Sequence, residues 1–160
     1  MSLRHILALS VLGCLTSVCA QSRFALAQVH VPRLPRECRA AWVATVKNLD
    51  WPSRKGLSAK AQQAELRQQF DRAHQLGINT IIFQVRPACD ALYKSPYEPW
   101  SEYLTGTMGR SPGYDPLQMA VNLAHERGME LHAWFNPYRA RHYEKSKAAP
   151  NHVTRRRPDM

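Results

Sequence analysis

Polar and aromatic side chains that could bind a ligand occur together at the ends of three apolar segments of the chain. Gln84 and Arg86 end the second segment, and Trp134 and Asn136 end the third. Amide and guanidinium groups hydrogen-bond the hydroxyls of a sugar, while an indole packs on the apolar face of the sugar ring. These residue types therefore point to recognition of a carbohydrate.

The loops that follow these segments contribute further aromatic side chains: Trp51, Tyr93, Tyr97, Trp100, Tyr103 and Tyr138. Such rings suit a sugar, but an aromatic residue can equally anchor its loop by packing on the protein. The sequence leaves both interpretations open for this set. His132, in the middle of the third segment, is predicted to be a hydrogen-bonded interior histidine.

The apolar segments have the composition of buried strands. Residues 39–46, 78–86 and 129–136 are short and rich in β-branched and aromatic residues. Because successive side chains of a strand point to opposite faces, Gln84 and Arg86 share one face and their apolar neighbours take the other. The polar residues should therefore face away from the helices that cover the sheet.

Helical patterning connects the first two strands. Ser58 is a candidate N-cap, and Leu66, Phe70 and Ala73 recur at the spacing of one buried helix face. Gly77 stands where a glycine ends such a helix.

A second helix, with Asp115 as N-cap and Pro116 in its first turn, leads into the third strand. Its buried face is predicted to contain Leu117, Val121 and Ala124. Alternating strands and helices predict an α/β fold with a parallel sheet. A doubly wound sheet and a (β/α)8 barrel both fit, but neither strand-to-helix turn carries the glycine fingerprint of a nucleotide site. In a barrel, the polar strand ends would lie at the mouth, where active sites are found.

Residues 1–27 have the features of a secretory signal peptide. An apolar segment, residues 6–20, precedes small residues that allow cleavage after Ala20 or Ala27. A lipoprotein signal with Cys14 as the lipid anchor and a buried N-terminal helix are the alternatives. We expect an exported protein of the periplasm or cell envelope, or a lipoprotein, with no transmembrane span in the mature chain.

The net charge of +10 accompanies an ordinary 44% of hydrophobic residues, which excludes a wholly disordered chain. Many of the basic residues lie within 137–160, a segment predicted to be irregular. Basic residues of this kind form a solvated face, or bind an anionic polymer or nucleic acid. Export makes nucleic acid the least expected partner, and we predict none. We also expect no cofactor and no metal, and isolated thiols at Cys38 and Cys89.

Four ordered blocks carry a family resemblance: Trp42–Val46 with Asn48 and Asp50–Ser53, Phe83–Ala88 with Asp90–Tyr93, Tyr97–Gly106 with Pro112–Leu117, and His132–Arg139. Together they closely resemble the glycosyl-hydrolase-like family ten domain of bacterial envelope proteins. That group includes cell-division-associated lipoproteins that cleave denuded peptidoglycan glycan strands. Cys38 and Cys89 depart from the resemblance, which implies Met and Gly at these positions.

The resemblance implies a partial (β/α)8 barrel over residues 37–160, preceded by a linker over residues 28–36. Such a barrel typically has about 250 residues, so the 160 residues are expected to hold only its first three βα units. The resemblance places an acidic cluster on the fourth strand and the general acid on a later strand.

Ten residues are expected to bind substrate or to support its binding: Asn48, Asp50, Trp51, Gln84, Arg86, Asp90, Tyr93, Trp134, Asn136 and Arg139. We assign a catalytic role to none of them. Glycoside hydrolysis usually requires a carboxylate pair, about 5–5.5 Å apart for retention and about 6.5–9.5 Å apart for inversion. Asp50 and Asp90 are the rim carboxylates, while Glu98, Glu102 and Asp115 are predicted to have structural roles.

The functional expectation is therefore the N-terminal part of a glycoside hydrolase that acts on a cell-envelope glycan such as denuded peptidoglycan and is inactive as this fragment. Whether the chain is an enzyme stays open at this stage. A non-catalytic protein that binds envelope glycan is one alternative, and a truncated product without a function of its own is another.

Export can be tested directly. We expect the mature protein in an envelope fraction to begin after Ala20 or Ala27, because small residues follow the apolar segment there. Mass spectrometry of the N-terminal peptide measures this. An intact Met1 in that fraction would contradict the prediction, and a lipid-modified Cys14 as the first residue would indicate a lipoprotein.

Overall fold

The computed structural model describes residues 37–142 and 147–159. The expected signal segment 1–27, its Cys14 and the linker 28–36 lie outside the described residues. The elements are β1 (Ala40–Val43), α1 (Ala59–Gln75), β2 (Thr80–Arg86), α2 (Glu102–Thr105), α3 (Pro116–His125), β3 (Glu130–Phe135) and α4 (Val153–Arg156). The predicted alternation of strands and helices is confirmed, with α2 and α4 as short additions.

The three strands form one parallel sheet in the order β1-β2-β3. Trp42 pairs with Ile82, which pairs in turn with His132. β1 is shorter than predicted, because the chain turns into a 3-10 helix at Val46–Asn48. The fold is α/β, and its parallel sheet is compatible with the start of a (β/α)8 barrel.

The start and end of α1 agree with the sequence. The Ser58 side chain accepts a hydrogen bond from the Ala61 N–H, which caps the helix. Leu66 and Phe70 are fully buried, and Gly77 ends the turn with a φ of +72°, a conformation that favours glycine.

The N-cap of α3 is confirmed, but its predicted buried face is shifted. Asp115 accepts a hydrogen bond from the Gln118 N–H at 3.0 Å, and the buried residues are Pro116, Ala120, Leu123 and Ala124. Leu117 and Val121 are only half-buried. The Leu117 N–H donates to the carbonyl of Leu92, which holds the first turn of α3 against the loop that follows β2.

The hydrophobic core lies between the sheet and the helices. Ile81, Phe83 and Val85 project from β2 toward the helix side and pack with Leu66 and Phe70 of α1. Burial of such side chains contributes about 1.5–3 kcal/mol each. The apolar residues of β2 therefore face the helices, as its alternating pattern predicts.

The opposite face of the sheet is more open. Trp42 is 61% exposed, and its ring meets that of Trp134 edge-on with 5.0 Å between centroids. Both indoles project from the face that would line the interior of a barrel.

The C-terminal segment is more ordered than predicted. Within residues 147–159, Ala148, Ala149 and His152 are buried, and α4 begins directly after His152. Apart from the four residues of α4, these residues are irregular as expected, but they pack on the loops that follow β2. None of the helices in residues 37–142 and 147–159 is long and apolar enough to cross a membrane.

The core assignment predicts the effect of truncating one α1 side chain. Phe70→Ala should lower the free energy of unfolding by about 3–5 kcal/mol, because it leaves a cavity between α1 and β2. Leu76→Ala is the control: Leu76 is 63% exposed, and its truncation should change stability by less than about 0.5 kcal/mol. Urea unfolding followed by circular dichroism measures both, and equal losses would contradict the assigned core.

Candidate functional site

The guanidinium of Arg86, at the end of β2, is the centre of the polar cluster. Its Nε donates to both carboxylate oxygens of Glu98 at 2.8 Å, and its Nη2 also contacts this carboxylate. Its Nη1 donates to the carbonyl of Asn136 at 2.9 Å. The pKa of Arg86 is raised, chiefly by the hydrogen bond with Glu98, so the guanidinium keeps its charge.

The end of β3 lies directly beside this pair. The Asn136 N–H donates to the carbonyl of Arg86 at 3.0 Å, and its side-chain Nδ2 donates to the carbonyl of Pro87 at 3.1 Å. The Asn136 Oδ1 accepts a hydrogen bond from the Trp134 Nε1 at 2.9 Å. The structure therefore brings Arg86, Trp134 and Asn136 together as predicted, although the register between β2 and β3 shifts between Gln84 and Arg86.

Glu98 is the site residue that sequence reasoning assigned only a structural role. The Ser95 hydroxyl accepts hydrogen bonds from the Tyr97 and Glu98 N–H groups at 3.2 Å, which shapes the loop around the carboxylate. A half-buried arginine at a strand end needs an anionic acceptor. That requirement is the signal in the sequence that points to an acidic partner for Arg86.

Cys89 and Tyr93 complete the surroundings of Arg86. Burial raises the pKa of the Cys89 thiol despite the nearby guanidinium, and the Arg86 Nη2 lies 3.2 Å from its sulfur. Burial and the charge of Glu98 raise the pKa of Tyr93. Both side chains are therefore neutral at pH 7, and the phenol keeps a proton that it can donate.

Asp90 is buried within the rim rather than exposed at its surface. Its Oδ1 accepts a hydrogen bond from the Ala88 N–H at 2.9 Å, and only 1% of the residue is exposed. Burial raises the pKa of this carboxyl group, against the opposing hydrogen bonds of Ser101 and Ala88. In this position Asp90 supports the loop and does not reach a ligand.

The loop after β1 uses its polar residues internally. The Asp50 Oδ2 accepts a hydrogen bond from the Ala44 N–H at 2.7 Å. The Asn48 Nδ2 donates to the carbonyls of Pro52 and Tyr103, each at 2.9 Å. Asn48 and Asp50 therefore hold the loop in shape, and neither joins the cluster around Arg86.

Trp51 and Gln84 are corrections to the predicted substrate-binding set. Both are fully buried. Trp51 packs against Phe83 and donates from its indole to the carbonyl of Gln62 at 3.0 Å. The Gln84 Oε1 accepts hydrogen bonds from the Thr45 and Val46 N–H groups at 2.9 Å. The Gln84 amide therefore organises the turn after β1, while the Trp51 indole joins the following loop to α1.

The remaining loop aromatics divide into anchors and exposed rings. Tyr103 is buried and Trp100 packs partly against the core. Tyr97 and Tyr138 are exposed, and Tyr138 is 97% exposed. Arg139 is also exposed, beside Tyr138 in the segment that follows β3.

The cluster offers oriented donors and acceptors without net charge at its centre. A sugar could meet the phenol of Tyr93, the indole of Trp134 and the oxygens of Glu98. The rim carboxylates Asp50, Asp90 and Glu98 each accept hydrogen bonds from the protein. Within the described ranges, no three His, Cys, Asp or Glu side chains are grouped to hold a metal ion.

Comparison with known protein families decides the assignment. The profile described as glycosyl hydrolase-like 10 matches residues 37–160. The chain belongs to the glycosyl hydrolase-like 10 family. The match includes β1, β2, β3 and all the residues of the cluster around Arg86, and it confirms the family resemblance of the four sequence blocks.

Curated relatives carry the same general description. The chain is 49% identical over 126 residues to the glycosyl hydrolase YngK of Bacillus subtilis, covering 78% of this chain and 25% of the relative. It is 47% identical over 108 residues to the glycosyl hydrolase DigH of Escherichia coli K12, covering 63% of this chain and 25% of the relative. The aligned part of this glycosyl hydrolase-like chain thus spans about a quarter of each relative.

Burial of Asp90 predicts a specific pH dependence of stability. Because the pKa of Asp90 is raised in the folded chain, its contribution to stability is fully present below the unfolded-state pKa of about 3.9. That contribution is lost as the pH rises through the higher folded-state pKa. Asp90→Asn should remove this loss.

Urea unfolding of both proteins across a pH series tests the prediction. The difference in the free energy of unfolding between the wild type and Asp90→Asn isolates the aspartate from the other titrating groups. We expect the wild type to lose stability relative to the variant as the pH rises. A difference that stays constant with pH would contradict the assigned environment of Asp90.

Proposed function

We propose that this chain forms the N-terminal, substrate-binding part of a glycoside-hydrolase barrel that acts on a cell-envelope glycan such as denuded peptidoglycan. The observation that carries the proposal is the cluster of Arg86, Glu98, Trp134 and Asn136 at the carboxyl ends of two adjacent parallel strands. In (β/α)8 enzymes this end of the strands forms the active-site mouth.

The chemistry of the cluster suits a sugar. The Arg86–Glu98 pair fixes a carboxylate whose remaining lone pairs can accept hydrogen bonds from hydroxyl groups. The indole of Trp134 is held through its N–H by Asn136, which leaves a defined ring face for the apolar side of a pyranose. Because fixed partners already orient these protein side chains, the protein loses less side-chain entropy when a glycan binds.

The open face of the sheet supports the barrel part of the proposal. Trp42 and Trp134 project side by side from that face, and a large exposed apolar surface is unusual in a soluble domain. Further parallel strands would close the barrel, cover Trp42 and provide the carboxylates for chemistry.

Catalysis in this proposal comes from residues other than the described rim carboxylates. Hydrolysis of a glycosidic bond usually needs two carboxyl groups on either side of the bond. Asp90 is buried, Asp50 is bound to the backbone, and Glu98 is paired with Arg86. The role of this chain is therefore to bind and orient the glycan.

The location proposed for this function is the cell envelope. The sequence of residues 1–27 supports export, and an envelope glycan would be accessible there. The alternative is a lipoprotein of the cell envelope with Cys14 as its lipid anchor.

A second function, glycan binding without hydrolysis, is favoured by the exposed rings of Tyr97 and Tyr138. Such rings stack on sugars without any catalytic group. The two functions differ in whether the addition of further strands adds hydrolysis to glycan binding.

The proposal predicts binding without hydrolysis by the chain alone. Incubated with peptidoglycan glycan freed of stem peptides by an amidase, the chain should release no soluble fragments, because the rim carboxylates within the described residues are bound to protein donors and do not form a catalytic pair. Release of reducing ends is the measurement. Fragment release that Asp90→Asn abolishes would overturn the proposal and make Asp90 catalytic.

Binding to the same glycan should depend on Trp134. Trp134→Ala should weaken binding measured by calorimetry about fivefold to tenfold, in line with the loss of one ring contact. Trp51→Phe is the control, because its buried ring cannot reach a glycan. Equal weakening by both variants, or a loss of stability of about 3–5 kcal/mol with Trp134→Ala, would favour a structural role for Trp134.

A further inference from the structure

Three consecutive backbone carbonyls, beginning with that of the last residue of β2, accept hydrogen bonds from two later residues of the chain. The Asn136 N–H donates to the carbonyl of Arg86 at 3.0 Å, and its side-chain Nδ2 donates to that of Pro87 at 3.1 Å. The next carbonyl, that of Ala88, lies 3.0 Å from the Nε2 of His152. The loop after β2 is therefore held by two residues that flank the segment after β3.

The hydrogen bonds of His152 define which ring nitrogen carries the proton. A carbonyl oxygen can only accept, so Nε2 must donate to Ala88. Nδ1 accepts from the Thr154 N–H at 3.3 Å and lies 2.8 Å from the Thr154 hydroxyl. The ring is fully buried, and each of its two nitrogens has a hydrogen-bond partner.

The residues before His152 pack against a different loop of the rim. Ala148 and Ala149 are buried with Met108, and the Ala149 N–H lies 3.5 Å from the Met108 sulfur. A Cβ atom at Gly109 would lie 3.2 Å from the Cβ of Ala149, which is tighter than most such contacts. The segment thus bridges two loops of the rim and positions His152 between them.

Ala88 connects His152 to the residues that surround Arg86. Its N–H donates to Asp90 while its carbonyl accepts from His152, so both polar groups of its backbone are fixed. Cys89 follows with a φ of +52°, a conformation that costs a non-glycine residue about 1–2 kcal/mol. A strained residue keeps such a conformation only when its neighbours hold it.

We propose that His152 is a positioning residue for the rim, which holds Ala88 so that Cys89 stays packed against the guanidinium of Arg86. Without the hydrogen bond to Ala88, the turn at Cys89 relaxes and its thiol becomes accessible. The orientation of the Arg86–Glu98 pair then loses one of its supports.

Two substitutions separate the two hydrogen bonds of the ring. His152→Asn places an acceptor where Nδ1 was, so it keeps the cap of α4 but cannot reach Ala88. His152→Gln extends an amide N–H toward the position of Nε2, so it keeps the bond to Ala88 and loses the cap. The pair therefore distinguishes the tether from the helix cap.

The buried thiol of Cys89 reports the result. In the full chain with Cys14, Cys19 and Cys38 replaced by serine, Cys89 is the only thiol. Its rate of reaction with Ellman's reagent should rise about tenfold in His152→Asn, in line with the loss of one buried hydrogen bond. In His152→Gln, the rate should stay within about threefold of the parent rate. Amide exchange at Ile81 and Phe83 monitors whether β2 remains folded.

An unchanged rate in His152→Asn, or equal acceleration in both variants with β2 protected, would overturn the proposal. If either variant unfolds, nitrogen chemical shifts of the His152 ring in the wild-type chain decide instead. Protonation at Nε2 with slow exchange of that proton supports the tether. Protonation at Nδ1, or rapid exchange of the Nε2 proton, would overturn it.

Discussion

Both edges of β2 are hydrogen-bonded to parallel neighbours, so its side chains can point only toward the helices or away from them. Ile81, Phe83 and Val85 take the first direction and form the core with α1 and α3. Gln84 and Arg86 take the second. Gln84 binds the turn after β1, and Arg86 binds the acidic loop and the end of β3. The same alternation therefore fixes both the core and the candidate site.

The carboxylates of the rim share one property: each is already held by a protein donor. The Ala44 N–H holds Asp50, the Ala88 N–H holds Asp90, and Arg86 holds Glu98. A carboxylate held in this way orients its neighbours and keeps its own position. These groups therefore give the rim a fixed shape, which is the property that recognition of a many-hydroxyl ligand requires.

Much of the fold could be predicted because its signals are local. The Ser58 and Asp115 caps and the periodicity of α1 each depend on residues within a few positions of one another. The burial of Trp51 and the contact of His152 with Ala88 depend on loops that meet only after folding, and no local pattern encodes them. The sequence could predict only that Arg86 needs an anionic partner. Which acidic residue of the following loop takes that place depends on the path of the loop, and in the structure it is Glu98.

The loop after β2 is held through its backbone carbonyls, and this affects how the rim can change over evolution. A carbonyl oxygen is present whatever side chain a residue carries, so these hydrogen bonds impose no side-chain type on position 88. The donors at Asn136 and His152 are particular side chains, and few replacements reproduce them. The loop after β2 is thus free to exchange its side chain at position 88, while Asn136 and His152 keep the backbone geometry constant.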